Sequence, residues 1–179
     1  IFVNDFSVKE AEMKHVFHKG NDNISRGVSG GGEEGINFPN NSPGVYLTPR
    51  LDGEGKGDMA GLKIIMNSFE KINEEIIVKD LPLHKWVNII IRVTKQNQLD
   101  VYINGTLVKR HILEGVPRQN YGDVYVSMNG GFDGNTSDLR YFEKALGTNK
   151  IQGIVNKGPN TNFVTANLGS KNGTNKYLS

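Results

Sequence analysis

Alternation of apolar and polar residues is clearest over residues 99–113, LDVYINGTLVKRHIL, where Asn104-Gly105 separates two β-rich runs. Asn-Gly between such runs is the strongest short-range signal of a β-hairpin with a two-residue type I′ turn. That turn sets the register, so one face of the predicted hairpin carries Leu99, Val101, Ile103 and Val108. The predicted cross-strand pairs are Ile103 with Thr106, Tyr102 with Leu107, Val101 with Val108 and Asp100 with Lys109.

A second alternating run, WVNIIIRV at residues 86–93, precedes the hairpin. One of its faces is entirely apolar, which is typical of a strand that buries one side. That face consists of Val87, Ile89, Ile91 and Val93. Because only the polar loop TKQNQ separates this run from the hairpin, the sequence predicts a three-stranded antiparallel meander.

Shorter apolar runs predict further strands along the chain. They are HVFHKG at 15–20, GVYLTP at 44–49, GLKIIMNSF at 61–69, EEIIVKD at 74–80, DVYVSM at 123–128 and SDLRYFEKA at 137–145. Only residues 148–158 resemble a short helix, and in DVYVSM one face carries Val124, Val126 and Met128. Many short strands at this spacing predict an all-β protein, an antiparallel β-sandwich. We assign residues 1–158 to the sandwich and residues 159–179 to a polar extended tail, with a long Gly/Asn/Pro loop at residues 26–44.

Composition and charge narrow the classes of function. The 179 residues suffice for one domain with a core, and the 21 basic and 19 acidic side chains are interspersed, so we expect no nucleic-acid partner. The absence of cysteine excludes disulfides and thiolate metal sites, and favours assembly in a reducing compartment. No apolar run approaches the ~20 residues of a membrane span, so membrane contact would need a segment outside this chain. The chain begins at Ile1 rather than Met, inside a further run that predicts a strand, so we expect a processed product or part of a longer protein.

Three short motifs resemble known sites but lack the required context. GGGEEG at residues 30–35 has the spacing of a dinucleotide fingerprint, yet the prolines that follow prevent the helix that would bind phosphate. GEGKGD at residues 53–58 lacks the Ser or Thr that follows the lysine of a P-loop. In HVFH, His15 and His18 are three residues apart, a spacing that places them on opposite faces of a strand, so we interpret them as structural.

Catalytic arrangements are also missing from the sequence. There is no cysteine nucleophile and no G-x-S-x-G elbow. A glycosidase needs two carboxylates that flank the scissile bond, whereas Glu33/Glu34 and Glu74/Glu75 are chain neighbours in a loop or on opposite faces of a strand. We therefore predict that the protein is not an enzyme.

The stretch NGGFDGNTSD at residues 129–138 has two interpretations. It begins like a calcium loop, but Gly at the sixth position and Glu at the twelfth are missing, which excludes an EF-hand. A shallow calcium site remains one alternative, with calcium as the only candidate cofactor; its ligands would be Asp133, Asn135 and Asp138. The other alternative is a corner before the last core strand. There Gly130, Gly131 and Gly134 would adopt unusual dihedrals, while Asp133 and Asp138 would cap local amides.

Three stretches, LPLHKWVNIIIRV, LDVYINGTLVKR and VYVSMNGGFDGNTSDLRYFEKAL, together resemble the laminin-G-like, concanavalin A-like jelly-roll family. In that family a Trp opens a central strand, a hairpin follows, and a GFDG strand closes the sandwich. The matching positions here are Trp86, residues 102–105 and residues 131–134. The resemblance covers residues 1–158. Within this family, the sequence is similar to domains encoded by large DNA viruses of algae and protists. It implies a concanavalin A-like jelly roll without enzymatic activity.

The resemblance implies two alternative functions. The first is a structural protein of the virion, a minor capsid or surface component whose partners are other proteins of the particle; otherwise the chain would be the surface-exposed domain of an anchored protein. The second is a carbohydrate-binding adhesin that recognises host or particle glycans. Its expected sugar-binding residues are Tyr121, Asn129, Phe132 and Asp133. The chain departs from the calcium-dependent lectins of the family, because it lacks a clear set of carboxylate ligands.

Overall fold

The structure is a computed structural model that describes residues 1–4, 13–23, 36–37, 39–48 and 59–160. These residues form antiparallel strands in two layers and one short helix, which confirms the predicted all-β sandwich. The strands are β1 (Phe2–Val3), β2 (Lys14–Gly20), β3 (Asn41–Thr48), β4 (Met59–Met66), β5 (Glu74–Pro82), β6 (Ile89–Thr94), β7 (Gln98–Ile103), β8 (Thr106–Ile112), β9 (Asp123–Val126) and β10 (Gly134–Asn135), and the helix is α1 (Thr148–Lys157). In the described part of the chain, no helix is long and apolar enough to cross a membrane.

One layer is a five-stranded antiparallel sheet in the order β5-β4-β3-β2-β9. Its inner face contributes Leu62 and Ile64 of β4 to the main core, whereas Ile65 belongs to a smaller cluster on the outer face. The outer cluster consists of Ile36, Tyr46 and Ile65, with Met13 packed against it. Both faces of this sheet are therefore covered near its centre.

The second layer is the three-stranded meander β6-β7-β8, as the sequence predicts. The segment before β6 also bonds to the N-terminus, because Ile1 and Val87 exchange two backbone hydrogen bonds of 2.8 Å each. Strand β1 in turn pairs with β10, so the N-terminal residues extend this layer. The predicted apolar face of β6 is confirmed, since Val87, Ile89, Ile91 and Val93 all belong to the main core or pack against it.

Aliphatic side chains from both layers fill the main core. The fully buried members include Val45, Leu47, Leu62, Ile64, Ile76, Leu81, Leu99, Val101 and Leu113. Removing one such side chain from water stabilises the fold by about 1.5–3 kcal/mol. The alternating pattern of the sequence therefore gives the sandwich its main source of stability.

The turn of the predicted hairpin is confirmed, but the register changes beyond it. Asn104 and Gly105 have φ values of 49° and 81°, the left-handed conformations that a type I′ turn requires. The two pairs nearest the turn form as predicted, and then a bulge at Val108 shifts the ladder by one residue. Asp100 therefore lies opposite Arg110. The wrong predictions are the pairs Val101–Val108 and Asp100–Lys109 and the placement of Val108, which is 44% exposed, on the core face.

Residues 137–145, predicted as the last core strand, form no strand. Asp138 has a φ of 59°, and its carboxylate accepts hydrogen bonds of 2.8 and 2.7 Å from Arg140. This local fork bends the chain where a strand would need extended backbone. As a result Leu139 and Tyr141 are 46% and 84% exposed. The prediction of a closing strand at this position is wrong.

The predicted helix is confirmed as α1, and it lies against the outer face of β6-β7-β8. Its Ile151 is fully buried, and Gln152 Nε2 donates to Gly105 O at 3.2 Å. Just before the helix, Leu146 O accepts from an Arg92 guanidinium nitrogen at 2.9 Å. These contacts give Arg92, Asp100 and Tyr102 of this layer a covered environment.

Several predicted segments lie outside the described residues. They are the motifs at residues 30–35 and 53–58 and residues 161–179 of the predicted tail. The predicted loop at residues 26–44 extends too far toward the C-terminus, because β3 already begins at Asn41. Ile36 and Asn37, within the same predicted loop, are buried.

Candidate functional site

The glycine-rich turn after β9 is the first candidate site. Gly131 N donates to Met128 O at 2.8 Å, and Asn129, Gly130 and Gly131 all have positive φ, at 54°, 82° and 57°. Gly130 and Gly131 thus have the predicted dihedrals. Gly134 does not have a positive φ, so that prediction is wrong. Glycine is needed here for a steric reason instead, because a Cβ at this position would lie 2.0 Å from the carbonyl oxygen of Phe2.

The three candidate calcium ligands follow this turn, and each has another contact. Asp133 Oδ1 accepts from Asn4 Nδ2 at 2.9 Å, while Asn135 belongs to β10, which pairs with β1. Asp138 is held by the fork from Arg140. The aspartates thus bond to side chains rather than capping local amides as predicted. Among the residues that the structure describes, no three His, Asp or Glu side chains form a group that could hold a metal ion, and calcium binding here stays a prediction.

The four candidate sugar-binding residues do not form one patch. Tyr121 is 88% exposed just before β9, and its hydroxyl donates to Gln119 Oε1 at 2.6 Å. Asn129 lies in the turn beyond the other end of β9, and four strand residues alone span about 13 Å. Phe132 packs on the main core, which removes its ring as a sugar-stacking surface, and Asp133 bonds to Asn4. Tyr121 is therefore the only one of the four with a freely exposed aromatic face.

Strand β9 forms an apolar edge of the five-stranded sheet. It pairs with β2 on one side, and no described strand pairs with it on the other. As predicted, Val124 and Val126 share a face of the strand. Their side chains are 56% and 45% exposed, so neither belongs to the core. Tyr125, on the opposite face, stacks on His18 with ring centroids 5.1 Å apart. An unpaired edge with exposed apolar side chains is a template for pairing with another chain.

Two buried histidines lie on the outer face of the same sheet. His15 and His18 are 3% and 0% exposed, and His15 Nε2 is 2.7 Å from His18 Nδ1. Their predicted placement on opposite faces is wrong, because β2 contains a bulge between His15 and Phe17. Val16 and Phe17 both contact the main core, so His18 returns to the face of His15.

A buried polar cluster lies beside the histidines. The Tyr46 hydroxyl donates to Asn37 Oδ1 at 3.0 Å and accepts from Asn41 Nδ2 at 2.7 Å. The Tyr46 ring also meets the His15 ring edge to face at 5.4 Å. Asn37 and Asn41 are fully buried, so these bonds replace the water that the amides lose on folding. The cluster fixes residues 36–37 against β3.

Burial determines the protonation of these rings. Burial, and then the neighbouring His18, together lower the pKa of His15 from 6.5 to about 4. Burial also lowers the pKa of His18, opposed by its hydrogen bond to the Asn21 carbonyl and by the charge of Asp22. The pKa of Tyr46 is raised by burial. The cluster is therefore uncharged at neutral pH.

Replacing Tyr46 with phenylalanine is expected to destabilise the domain by about 1–3 kcal/mol, because the buried amides of Asn37 and Asn41 each lose a hydrogen-bond partner. Urea denaturation of both proteins measures this difference. The matched control is Tyr141→Phe, whose ring is 84% exposed and whose effect should stay within about 0.5 kcal/mol. Equal effects at the two sites would show that the Tyr46 bonds contribute nothing net.

Comparisons with known proteins give little beyond this geometry. No family model and no curated protein matches the chain. Among solved structures, it is similar to residues 221–444 of an S-layer domain-containing protein from Clostridium thermocellum ATCC 27405, with a TM-score of 0.31 and 13% sequence identity. The match covers 87% of this chain and 68% of that chain. A TM-score this low supports no inference about function.

Proposed function

We propose that the chain is a non-enzymatic structural domain of a virus particle, a minor capsid or surface component that contacts neighbouring proteins through the edge of β9. The observation that carries the proposal is the exposed apolar face of Val124 and Val126 on a strand without a described outer partner. Tyr121, 88% exposed just before the strand, adds an aromatic side chain to this surface. Aromatic residues are enriched in protein interfaces, and exposed sheet edges pair readily with other chains.

The virion location rests on the resemblance of residues 1–158 to proteins of large DNA viruses. It is tested by mass spectrometry of purified particles from the source of the sequence. We expect peptides of this chain at a fixed ratio to the major capsid protein, and that ratio should survive a wash that removes loosely bound proteins. Peptides found only in the soluble fraction of infected cells would contradict the location.

The β9 contact is tested separately with the double variant Val124→Thr/Val126→Thr. Threonine keeps a β-branched shape but removes apolar surface, so the strand should still form. Binding of the labelled domain to immobilised, dissociated particle proteins is expected to weaken about tenfold, which corresponds to about 1.4 kcal/mol. The matched control is Leu107→Thr/Ile112→Thr on β8, where the two side chains are also exposed, at 40% and 57%. Equal weakening by both variants would show that β9 is not the contact.

Tyr121 supports a second candidate function, carbohydrate binding. Its hydroxyl donates to the side-chain amide oxygen of Gln119, and sugars stack on aromatic faces while they hydrogen-bond to amides. A glycan array, probed with calcium and then with chelator, tests this. Binding that Tyr121→Ala abolishes and chelator does not would support an aromatic-and-amide site. Binding that chelator abolishes would point to calcium at Asp133, Asn135 and Asp138, and no binding would contradict the function.

A further inference from the structure

The hydrogen bonds around the histidine pair define one arrangement of protons. Met128 N donates to His15 Nδ1 at 3.0 Å, so that nitrogen is an acceptor and the His15 proton lies on Nε2. His15 Nε2 then donates to His18 Nδ1 at 2.7 Å, which puts the His18 proton on its own Nε2. His18 Nε2 donates in turn to Asn21 O at 2.7 Å. All four ring nitrogens have partners, and both rings are neutral.

This chain of bonds cannot take up another proton intact. A proton on His15 Nδ1 would face the N–H of Met128, and a proton on His18 Nδ1 would face the N–H of His15. Shifting the His15 proton to Nδ1 to relieve the second conflict recreates the first one. Protonation of either ring therefore breaks the Met128 bond or the bond between the imidazoles, and leaves a charge where burial makes a charge costly.

The Met128 bond holds the residues that follow β9 against β2, and the other affected bond, between the two imidazoles, positions the His18 ring on which β9 packs. Met128 N bonds directly to His15, and the ring of Tyr125 stacks on His18 at 5.1 Å with an interplanar angle of 13°. One residue earlier, Ser127 N donates to Val16 O at 3.0 Å. Strand β9 is only four residues long, and these contacts add to the four residue pairs of its ladder with β2.

Among the residues that the structure describes, the charged and titratable groups around the pair offer little compensation for a new charge. Asp22 favours protonation of His18, but burial outweighs it. On β4, Lys63 lies opposite Tyr46 and forms an ion pair of 3.0 Å with Glu75 of β5. The remaining described groups are the phenols of Tyr46 and Tyr125, Asp123 of β9 opposite Gly20, and two lysines of β2, Lys14 and Lys19, which lie opposite Leu47 and Val124.

We propose that His15 and His18 form an acid-sensitive latch, which holds β9 and residues 127–131 on β2 at neutral pH and releases them when either ring is protonated. Release would free the two edges that β2 and β9 now share. The latch is a property of the isolated domain and does not depend on what β9 binds.

The latch makes a prediction for the neutral protein that NMR can test directly. Imidazole nitrogen chemical shifts at about pH 7.5 should show two neutral rings, each with its proton on Nε2.

Hydrogen exchange, normalised to unstructured-peptide rates, then follows the release of β9 as the pH falls. Between about pH 7.5 and pH 5, protection of the amides of residues 124–128 should fall at least about tenfold, because the histidine pKa values lie lower in the docked state than in the open state. Amides of residues 99–103 report global unfolding and should keep larger opening free energies than residues 124–128 at each pH, because the latch opens without unfolding the sandwich.

Variants show whether the histidines cause this effect. His15→Asn keeps an acceptor near the position of Nδ1 but cannot be protonated, so most of the pH dependence at residues 124–128 should disappear. His84→Asn, at an exposed histidine with a φ of 56°, should behave like the wild type. If His15→Asn does not fold, the wild-type spectra and exchange still decide. The proposal is overturned by a charged ring or an Nδ1–H tautomer at neutral pH, by opening free energies at residues 124–128 as large as those at residues 99–103, or by no loss of protection at residues 124–128.

Discussion

Replacing Asp100 with alanine is expected to destabilise the domain by about 3–5 kcal/mol, the usual cost of breaking a buried ion pair on one side. The Asp100 carboxylate is fully buried and accepts bonds of 2.7 Å from both Arg92 and Arg110, with a weaker contact of 3.3 Å from Gln98. Without it, Arg92 would keep a charge at a side chain that is only 16% exposed. Chemical denaturation of wild type and variant measures the loss. Asp80→Asn, at an exposed carboxylate, is the control and should change stability by less than about 0.5 kcal/mol.

The same carboxylate gives the stability a defined pH dependence. Hydrogen bonds from Arg110, and then those from Arg92, lower the pKa of Asp100 from 3.8 to about 2 against the opposing effect of burial. A depressed carboxyl pKa contributes stability that is present above the unfolded value of 3.8 and is lost as the pH falls through about 2. The wild type should therefore lose about 2 kcal/mol more than Asp100→Asn over that interval. Parallel curves for the two proteins would contradict the assigned ion pairs.

The histidine pair acts in a different interval, which allows the two effects to be separated. The pKa of His15 falls from 6.5 to about 4 on folding, so its neutral form stabilises the fold above 6.5. That stability is lost as the pH decreases from 6.5 to about 4. The Asp100 contribution is unaffected there, because its carboxyl stays ionised in both states until the pH approaches 3.8. Acid unfolding should therefore show two successive declines in stability, the first between pH 6.5 and about 4 and the second between pH 3.8 and about 2.

The sequence was sufficient to predict those parts of the fold that depend on neighbouring residues. The meander of β6, β7 and β8 follows from alternation and from the Asn104-Gly105 turn, and both signals are local. The bulge at Val108 is not local in this sense, because it places Asp100 opposite Arg110 rather than Lys109. Only the position of Arg92 on the adjacent strand shows why that register is favourable, since both arginines then reach one carboxylate.

At residues 137–145 the prediction is wrong for a different reason, because the alternating pattern is present but the chain forms no strand. DLRYF alternates as a strand should, yet Asp138 and Arg140 bond to each other across two residues and bend the chain. In a regular strand, side chains two residues apart lie on the same face. Opposite charges at such positions can therefore bond to each other, and this local bond competes with the extended backbone of the strand. Periodicity alone does not measure that competition.

The histidine pair could have been inferred in part from the sequence. Val16 and Phe17 are adjacent apolar residues between two polar ones, and strict alternation would leave one of them facing outward. A bulge lets both enter the core and brings His15 and His18 to one face. The partners Asn37, Asn41 and Tyr46 gave no comparable signal, because Asn37 reaches Tyr46 from a separate segment and with no regular spacing.

The largest expected effect after Asp100 comes from Gly134→Ala in the stretch NGGFDGNTSD. A Cβ at this position would lie 2.0 Å from Phe2 O and 2.6 Å from Cε2 of the Phe132 ring. Backbone cannot yield as a flexible side chain does, so β1 must move away from β10 and lose the bond between Asn4 and Asp133. We expect a loss of about 3 kcal/mol, the upper end of the cost of overpacking. The melting temperature should fall by about 6–12 °C.

Gly153→Ala provides the matched control, because the added methyl group is the same and only the surroundings differ. Gly153 lies within α1, and a Cβ there would meet nothing within 4 Å. Alanine in an exposed helix interior stabilises by about 0.5–1 kcal/mol relative to glycine, so the melting temperature should rise by a few degrees. Opposite shifts for the two variants would confirm that β1 and β10 are in close contact. If Gly134→Ala also leaves stability unchanged or raises it, the pairing of the N-terminus with this turn is wrong.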